Sequence, residues 1–230
     1  MGGIQGVGFD LDGTLYANYK LNIRLIPFVF RHWALLSAFG KARGSLHRMT
    51  SARIEGRGDF YDVQAALVAG QCKLDPGQVK EKIFRLIYRG WEEHFARIKP
   101  FPHVKETLAL LKARGIRLGL LSDFPPRRKL ELLGLDGLFD AVFSTEEFCA
   151  LKPDPRPFEK LASSMGLSPG EILYVGNSPG YDIRGAKRAG MKAALIRRGI
   201  LSTGFSRGKG GDRAEFIFRN YRQLLRYVVG

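Results

Sequence analysis

An apolar run from Ile4 to Phe9 ends in two carboxylates, Asp10 and Asp12, with Gly13 directly behind them. The run reads as a buried strand. On an extended chain, residues i and i+2 project to the same side, so the two aspartates can face one site. Gly13 lets the backbone turn away just past them. In a parallel α/β sheet the carboxyl ends of the strands open onto the ligand crevice, which is where this pair would sit. A lone Asp-x-Asp-Gly is more often a strand-to-turn junction whose side chains cap loop backbone. Three further segments decide between the two.

The rest of the chain divides by its periodicity. From residue 17 to residue 99 the pattern is helical, with candidate helices Leu21 to Phe39, Asp59 to Gln71 and Asp75 to Phe95, and no strand alternation. Asp75-Pro76 suits an N-cap and first turn. Gly40 to Ser45 reads as a basic loop. Strands then alternate with helices. The expected strands are Ile116 to Leu121, Ala141 to Phe143, Glu171 to Val175, Ala193 to Ile196, and an edge strand from Ala214 to Phe218. The expected helices are Pro102 to Arg114, a helix ending at Leu130 to Leu133, Pro157 to Met165, Tyr181 to Ala189 and Tyr221 to Val229. Gly204 to Gly211 is a low-complexity loop. This rhythm predicts a doubly wound, Rossmann-like parallel sheet, residues 1–16 and 100–230, with an all-helical insertion at 17–99.

Composition narrows the class. Hydrophobic residues make up 45% of 230, enough for a packed core. Cys72 and Cys149 match no disulfide or metal spacing, and no signal peptide is expected before a strand that starts near residue 4. Gly6 stands where N-myristoylation wants Ser or Thr, and charges and Pro27 interrupt the apolar window 21–39. The expectation is therefore a cytoplasmic protein without a membrane span. The formal charge of +15 is concentrated: residues 17–100 carry 15 Lys/Arg against 7 Asp/Glu, and residues 184–230 carry 12 against 2. Such a field attracts phosphorylated substrates, nucleic acid or anionic surfaces, and a merely solvated basic face accounts for it equally well. No nucleic-acid-binding motif is present, and His32, His47, His94 and His103 have no metal-ligand spacing.

The three further segments follow predicted strands. Ser122 can donate its hydroxyl to a phosphoryl oxygen, as can the N–H of Asp123, although a Ser at a strand end is commonly a turn residue. Lys152 lies before Pro153 in Leu151-Lys152-Pro153-Asp154-Pro155, a stiff loop that can hold an ammonium beside a carboxylate; alone it would read as a surface lysine. Asn177 and Asp182, five residues apart after the strand ending at Val175, offer oxygen ligands of the kind Mg²⁺ takes, with Asp182 alternatively a helix N-cap.

Together these four segments resemble the haloacid dehalogenase-like hydrolases, from Val7 to about Gly190 and in the family's order. About 100 residues separate the first two motifs and 30 positions separate Ser122 from Lys152, which is similar to the branch whose helical cap is inserted between the first and second motifs. The resemblance implies that Asp10 is a nucleophile forming an aspartyl-phosphate and that Asp12 is the general acid and base. It further implies that Asp10, Leu11, Asp12, Ser122, Asp123 and Lys152 surround the phosphoryl group. Mg²⁺ would be bound by Asp10, the Asp12 carbonyl, Asn177 and Asp182. Two positions depart from the family pattern: Asn177 where an Asp is usual, and Asp123 where Asn is common.

Asp12 points to phosphate-ester cleavage rather than halide expulsion, since only the former needs leaving-group protonation. A phosphonatase would need a cap lysine, for which Lys20 and Lys41 are candidates. The expected activity is hydrolysis of a small phosphorylated metabolite by a monomer or homodimer. The alternatives are phosphosugar mutase-like transfer and a non-catalytic basic protein. Arg53 and Arg57 are candidate specificity residues of a cationic cap that would favour a second anionic group. Phe60 and Tyr61 are expected to pack the cap interior.

Overall fold

The computed structural model describes residues 3–49, 51–95, 97–197 and 213–230. The loop expected at Gly204 to Gly211 lies outside them. Among the described residues six strands form one parallel sheet: β1 (Gly6–Phe9), β2 (Arg117–Ser122), β3 (Ala141–Ser144), β4 (Ile172–Gly176), β5 (Lys192–Ile196) and β6 (Phe216–Phe218). Their order is β3-β2-β1-β4-β5-β6. β1 is therefore central, pairing Phe9 with Leu120 on one side and with Val175 on the other.

Both faces of the sheet are covered, which is why its strands are nearly continuous in apolar residues. Alternate residues feed two cores. Phe9, Leu118, Leu120, Leu173 and Val175 pack beneath α8 (Val104–Ala113) and α12 (Tyr221–Val229). Leu121, Tyr174 and Leu195 pack on the other face with α10 (Arg156–Ser164) and α11 (Arg184–Arg188). The remaining helix of this part is α9 (Arg127–Leu133), which follows β2.

Between β1 and α8 lie α1 (Asn18–Arg24), α2 (Ile26–Arg31), α3 (Trp33–Leu46), α4 (Ser51–Glu55), α5 (Phe60–Cys72), α6 (Pro76–Ile83), a π-helical turn (Phe84–Arg89) and α7 (Glu92–Phe95). The chain leaves and re-enters side by side: the Phe101 N–H donates to the Leu15 carbonyl at 2.8 Å. Three expectations are corrected here. The single helix expected at Leu21 to Phe39 is broken at Leu25 and His32. The helix expected from Asp75 to Phe95 passes through the π turn and breaks at Gly90. The loop expected at Gly40 to Ser45 lies inside α3, because Ala42 and Arg43 face a buried cluster that outweighs the low helix propensity of Gly40 and Gly44. Phe60 and Tyr61 pack within the helical segment as expected, Tyr61 against Phe84 and Tyr88.

Candidate active site

Asp10 follows β1 directly, and its N–H still donates to the Val175 carbonyl at 2.9 Å. The chain then turns at Gly13, whose φ of +85° disfavours a side chain; a Cβ there would lie 2.1 Å from the Asn177 amide nitrogen. That turn brings Thr14 back onto Asp10, with Oγ1 donating to Oδ2 at 2.7 Å. The other oxygen, Oδ1, accepts from Lys152 Nζ at 2.7 Å, and the same ammonium donates to Asp182 Oδ1 at 2.9 Å. Lys152 is buried, in a loop where the Lys152–Pro153 peptide is cis.

Burial would by itself depress the Lys152 ammonium, but the flanking carboxylates of Asp10 and Asp182 outweigh it and hold the pKa well above its ordinary value. The carboxyl of Asp10 moves the other way. Burial and then the negative charge of Asp182 push it up to about 7, against the pull of Lys152. Two buried carboxylates thus share a single ammonium, which leaves the cluster short of positive charge.

Asp12 turns to a separate set of partners. Its Oδ1 accepts from the Tyr16 hydroxyl, and Lys129 Nζ donates to Oδ1 at 2.5 Å and to Oδ2 at 2.8 Å. Lys129, on α9, is buried with its ammonium 4.0 Å from the Trp91 ring centroid. Burial lowers its pKa, and Asp12 opposes that shift without cancelling it. Sequence reasoning missed Lys129, because Arg127-Arg128-Lys129 looks like a solvated charge run. Thr14 was also missed, although its place four residues after Asp10 was a signal.

On the far side of Asp10, Asp182 does not cap the helix after β4; Ser178 does, accepting from the Tyr181 N–H. Asp182 Oδ2 instead accepts the N–H groups of Asn177 and Ser178 at 3.1 and 2.9 Å. Gly176 makes room for this, since a Cβ there would lie 2.3 Å from the Asp182 Cβ. Asn177 Nδ2 donates to the Asp12 carbonyl at 3.2 Å. Among the described residues no group of three or more His, Cys, Asp or Glu side chains is arranged for a metal. The nearby oxygen donors are instead mixed: the carboxylates of Asp10 and Asp182, the Asp12 carbonyl, and the side-chain carbonyl of Asn177, whose amide nitrogen is the atom turned to Asp12. All are hard oxygen donors around a site short of positive charge, and they fit Mg²⁺.

Ser122 is buried at the end of β2, where its Oγ accepts from the Phe124 N–H at 3.2 Å. Asp123 acts as a brace. Its Oδ1 accepts from Thr145 Oγ1 at 2.8 Å and from the Lys152 N–H at 3.2 Å, which ties the Ser122 strand end to the Lys152 loop. The helical segment reaches this brace through two side chains. Arg43 is buried, pairs with Glu146, and donates from Nη2 to the Asp123 carbonyl at 2.6 Å. His47 Nδ1 is 2.6 Å from the Lys152 carbonyl, and its ring stacks on Tyr181. Neither was anticipated, Arg43 because its surroundings read as loop.

Arg53 and Arg57 are not drawn into this cluster. Arg53 is exposed, and Arg57 lines a different cavity, of about 530 Å³, with Asp62, Val63 and Lys80. The physical reason is that Ile54 is the residue of this stretch turned inward, packed with Leu46, Phe60 and Leu151, which leaves Arg53 and Arg57 on the outside. Lys20 and Lys41 are likewise exposed.

A sequence profile of the haloacid dehalogenase-like hydrolases matches residues 4–190. The chain is 32% identical to a glyceraldehyde 3-phosphate phosphatase of Methanopyrus kandleri over 98% of this chain and 97% of that protein. It is 40% identical to one of Methanothermobacter thermautotrophicus over 84% and 85% of the two. Among solved structures it is similar to a HAD phosphatase from Thermococcus onnurineus, with a TM-score of 0.65, 28% identity and 98% of both chains covered. No helix of the described residues is long and apolar enough to cross a membrane. The parallel sheet, the motifs at its strand ends and these matches agree: the chain belongs to the haloacid dehalogenase-like hydrolases and to their phosphatase branch.

Proposed function

We propose that the chain hydrolyses a phosphate monoester in two displacements through an aspartyl-phosphate on Asp10. The observation that carries this is the state of Asp10. One of its oxygens is oriented by Thr14 and the other by a buried lysine, at the mouth of a parallel sheet and two residues from a second carboxyl. In the first step an Asp10 oxygen bonds to phosphorus as the ester P–O bond breaks, and the departing oxygen takes a proton from Asp12. In the second, Asp12 takes a proton from water, whose oxygen attacks the phosphorus and releases Asp10 and inorganic phosphate. Lys152 offsets charge on the transferring group, the Ser122 hydroxyl and the backbone from Leu11 to Asp12 and at Asp123 orient its oxygens, and Asp182 keeps Lys152 in place. Mg²⁺, held by Asp10, Asp182, Asn177 and the Asp12 carbonyl, would supply further electrostatic stabilisation of phosphoryl charge. The helical segment, residues 17–99, serves as the cap over the leaving group.

The test is phosphate release from para-nitrophenyl phosphate by wild type and Asp10→Asn, with and without Mg²⁺, together with acid-quench trapping of a labelled protein acyl-phosphate. Mg²⁺-dependent turnover and labelling, both lost in Asp10→Asn, are expected. Undiminished turnover in Asp10→Asn would remove Asp10 as nucleophile.

A further inference from the structure

The leaving group departs toward Asp12, so the space beside Asp12 selects it. That space is a cavity of about 300 Å³ whose lining includes Leu21 of α1, Leu25 at the break, Phe28 and Val29 of α2, Trp91 and Phe124. Its charged groups are Asp12 and Lys129, and these are bonded to each other. Tyr16 OH is also committed to Asp12, which leaves the amides of Asn18 and Asn22 and the indole N–H of Trp91, unpartnered among the described residues, as the remaining polar side-chain groups of the lining, neutral groups all. No cation is left over for a second anionic group of the substrate, contrary to the expectation of a cationic cap. We infer that the substrate is a phosphate monoester of a predominantly apolar alcohol, alkyl or aryl, whose hydrocarbon fills this cavity. The inference rests on the phosphatase reading and deepens it.

A homologous series tests it: kcat/KM for ethyl, butyl and hexyl phosphate against glycerol 1-phosphate and glyceraldehyde 3-phosphate. Burial of each added methylene should raise kcat/KM about threefold or more, and Val29→Asn should flatten that slope. A flat or falling series in wild type, or a preference for the polar esters, overturns the inference while leaving the phosphatase intact. Failure to hydrolyse any ester, para-nitrophenyl phosphate included, would sink the underlying reading instead.

The outward side of the same two helices carries a second, independent inference. Tyr19 and Ile23 on α1 and Ile26 and Phe30 on α2, joined by Trp33 at the start of α3, are exposed: Phe30 by 78%, Trp33 by 64%, Tyr19 by 62%. Exposed Lys20, Arg24 and Arg31 flank them. No Asp or Glu occurs between Asp12 and Glu55, so this face repels a second copy of itself and attracts an anionic one. An apolar face beside a basic flank is the pattern of a helix lying in a bilayer interface. The structure assigns this face to docking on an anionic bilayer surface.

Co-sedimentation with phosphatidylglycerol vesicles and with phosphatidylcholine vesicles tests it, with tryptophan emission as a second readout. About tenfold or more preference for phosphatidylglycerol, weakened by salt and abolished by Phe30→Asp, is expected, with para-nitrophenyl phosphate turnover unchanged in that variant. Equal partition onto both vesicles, undiminished binding by Phe30→Asp, or a dimer that Phe30→Asp dissociates in place of vesicle binding would each overturn it.

Discussion

Replacing Lys129 with methionine tests how Asp12 is held. The Lys129 side chain is 6% exposed and that of Asp12 22%, and two hydrogen bonds of 2.5 and 2.8 Å join them. Removing one partner of a fully buried ion pair costs about 3–5 kcal/mol. Asp12 keeps the Tyr16 hydroxyl and some water, and methionine keeps the packing against Trp91, so the loss should fall near about 2–3 kcal/mol. For a chain of this length that is a Tm drop of about 5–10 °C. In Asp12→Asn the same replacement should cost far less, since no charge is stranded; the difference, about 2 kcal/mol, is the coupling energy of the pair. Activity should follow leaving-group chemistry. Alkyl phosphates, which need protonation on departure, should lose about tenfold or more in kcat, while para-nitrophenyl phosphate, which departs as a stable anion, should lose less. Thermal melts of the four proteins and kcat on both ester types measure this. A Tm drop of the same size in both backgrounds, or equal kcat losses on both esters, would refute the idea that Lys129 acts through Asp12.

Three further perturbations probe the joint between the helical segment and the sheet. Arg43→Met strands the buried Glu146 and should destabilise by about 3 kcal/mol at neutral pH. Burial raises the Glu146 pKa above its ordinary 4.5, so its contribution is fully present below that value and is lost as pH rises through the folded value. The variant's deficit should therefore shrink at pH about 5; urea melts giving equal deficits at both pH values would contradict this. His47 has a pKa lowered from 6.5, chiefly by burial, with Asp123 opposing and Arg43 and Lys152 adding to the shift. The unfolded chain binds the proton first, so stability should fall as pH drops below 6.5, and His47→Gln should flatten that slope; an unchanged slope would assign the acid sensitivity elsewhere. Gly13→Ala combines a φ of +85° with a Cβ 2.1 Å from Asn177, and should lower stability by more than about 1 kcal/mol and weaken Mg²⁺-dependent thermal stabilisation. A Tm equal to wild type would show that the turn is not constrained.

Local order was legible where one face of a regular element is buried. The strand from Gly6 to Phe9, the strand ending at Ser122 and the helix from Tyr221 follow directly from apolar periodicity, with boundaries differing by a few residues. The helical segment was less so. Gly40 and Gly44 argue locally for a loop, yet burial of Ala42 and Arg43 keeps α3 continuous. The break at Leu25 has a local cause, since Pro27 cannot sit in a helix interior and instead falls in the first turn of α2; at His32 nothing local forbids a helix.

By itself the sequence determined the alternation of strands and helices that makes a parallel sheet, and it singled out Asp10, Asp12, Ser122, Lys152, Asn177 and Asp182 as candidates, because strand ends of such a sheet open on one crevice; which strand is central came from the fold. It also determined the family. Only the tertiary structure decided that Lys129 holds Asp12, that Asp123 braces the Lys152 loop, that Arg43 is an internal cation, and that Arg53 and Arg57 face away. The physical reason is that a charged residue's role depends on what lies opposite it across more than 100 residues of chain, as with Lys129 and Asp12 or Arg43 and Glu146. No local pattern of spacing or propensity encodes that pairing; it is set when the helices close over the sheet.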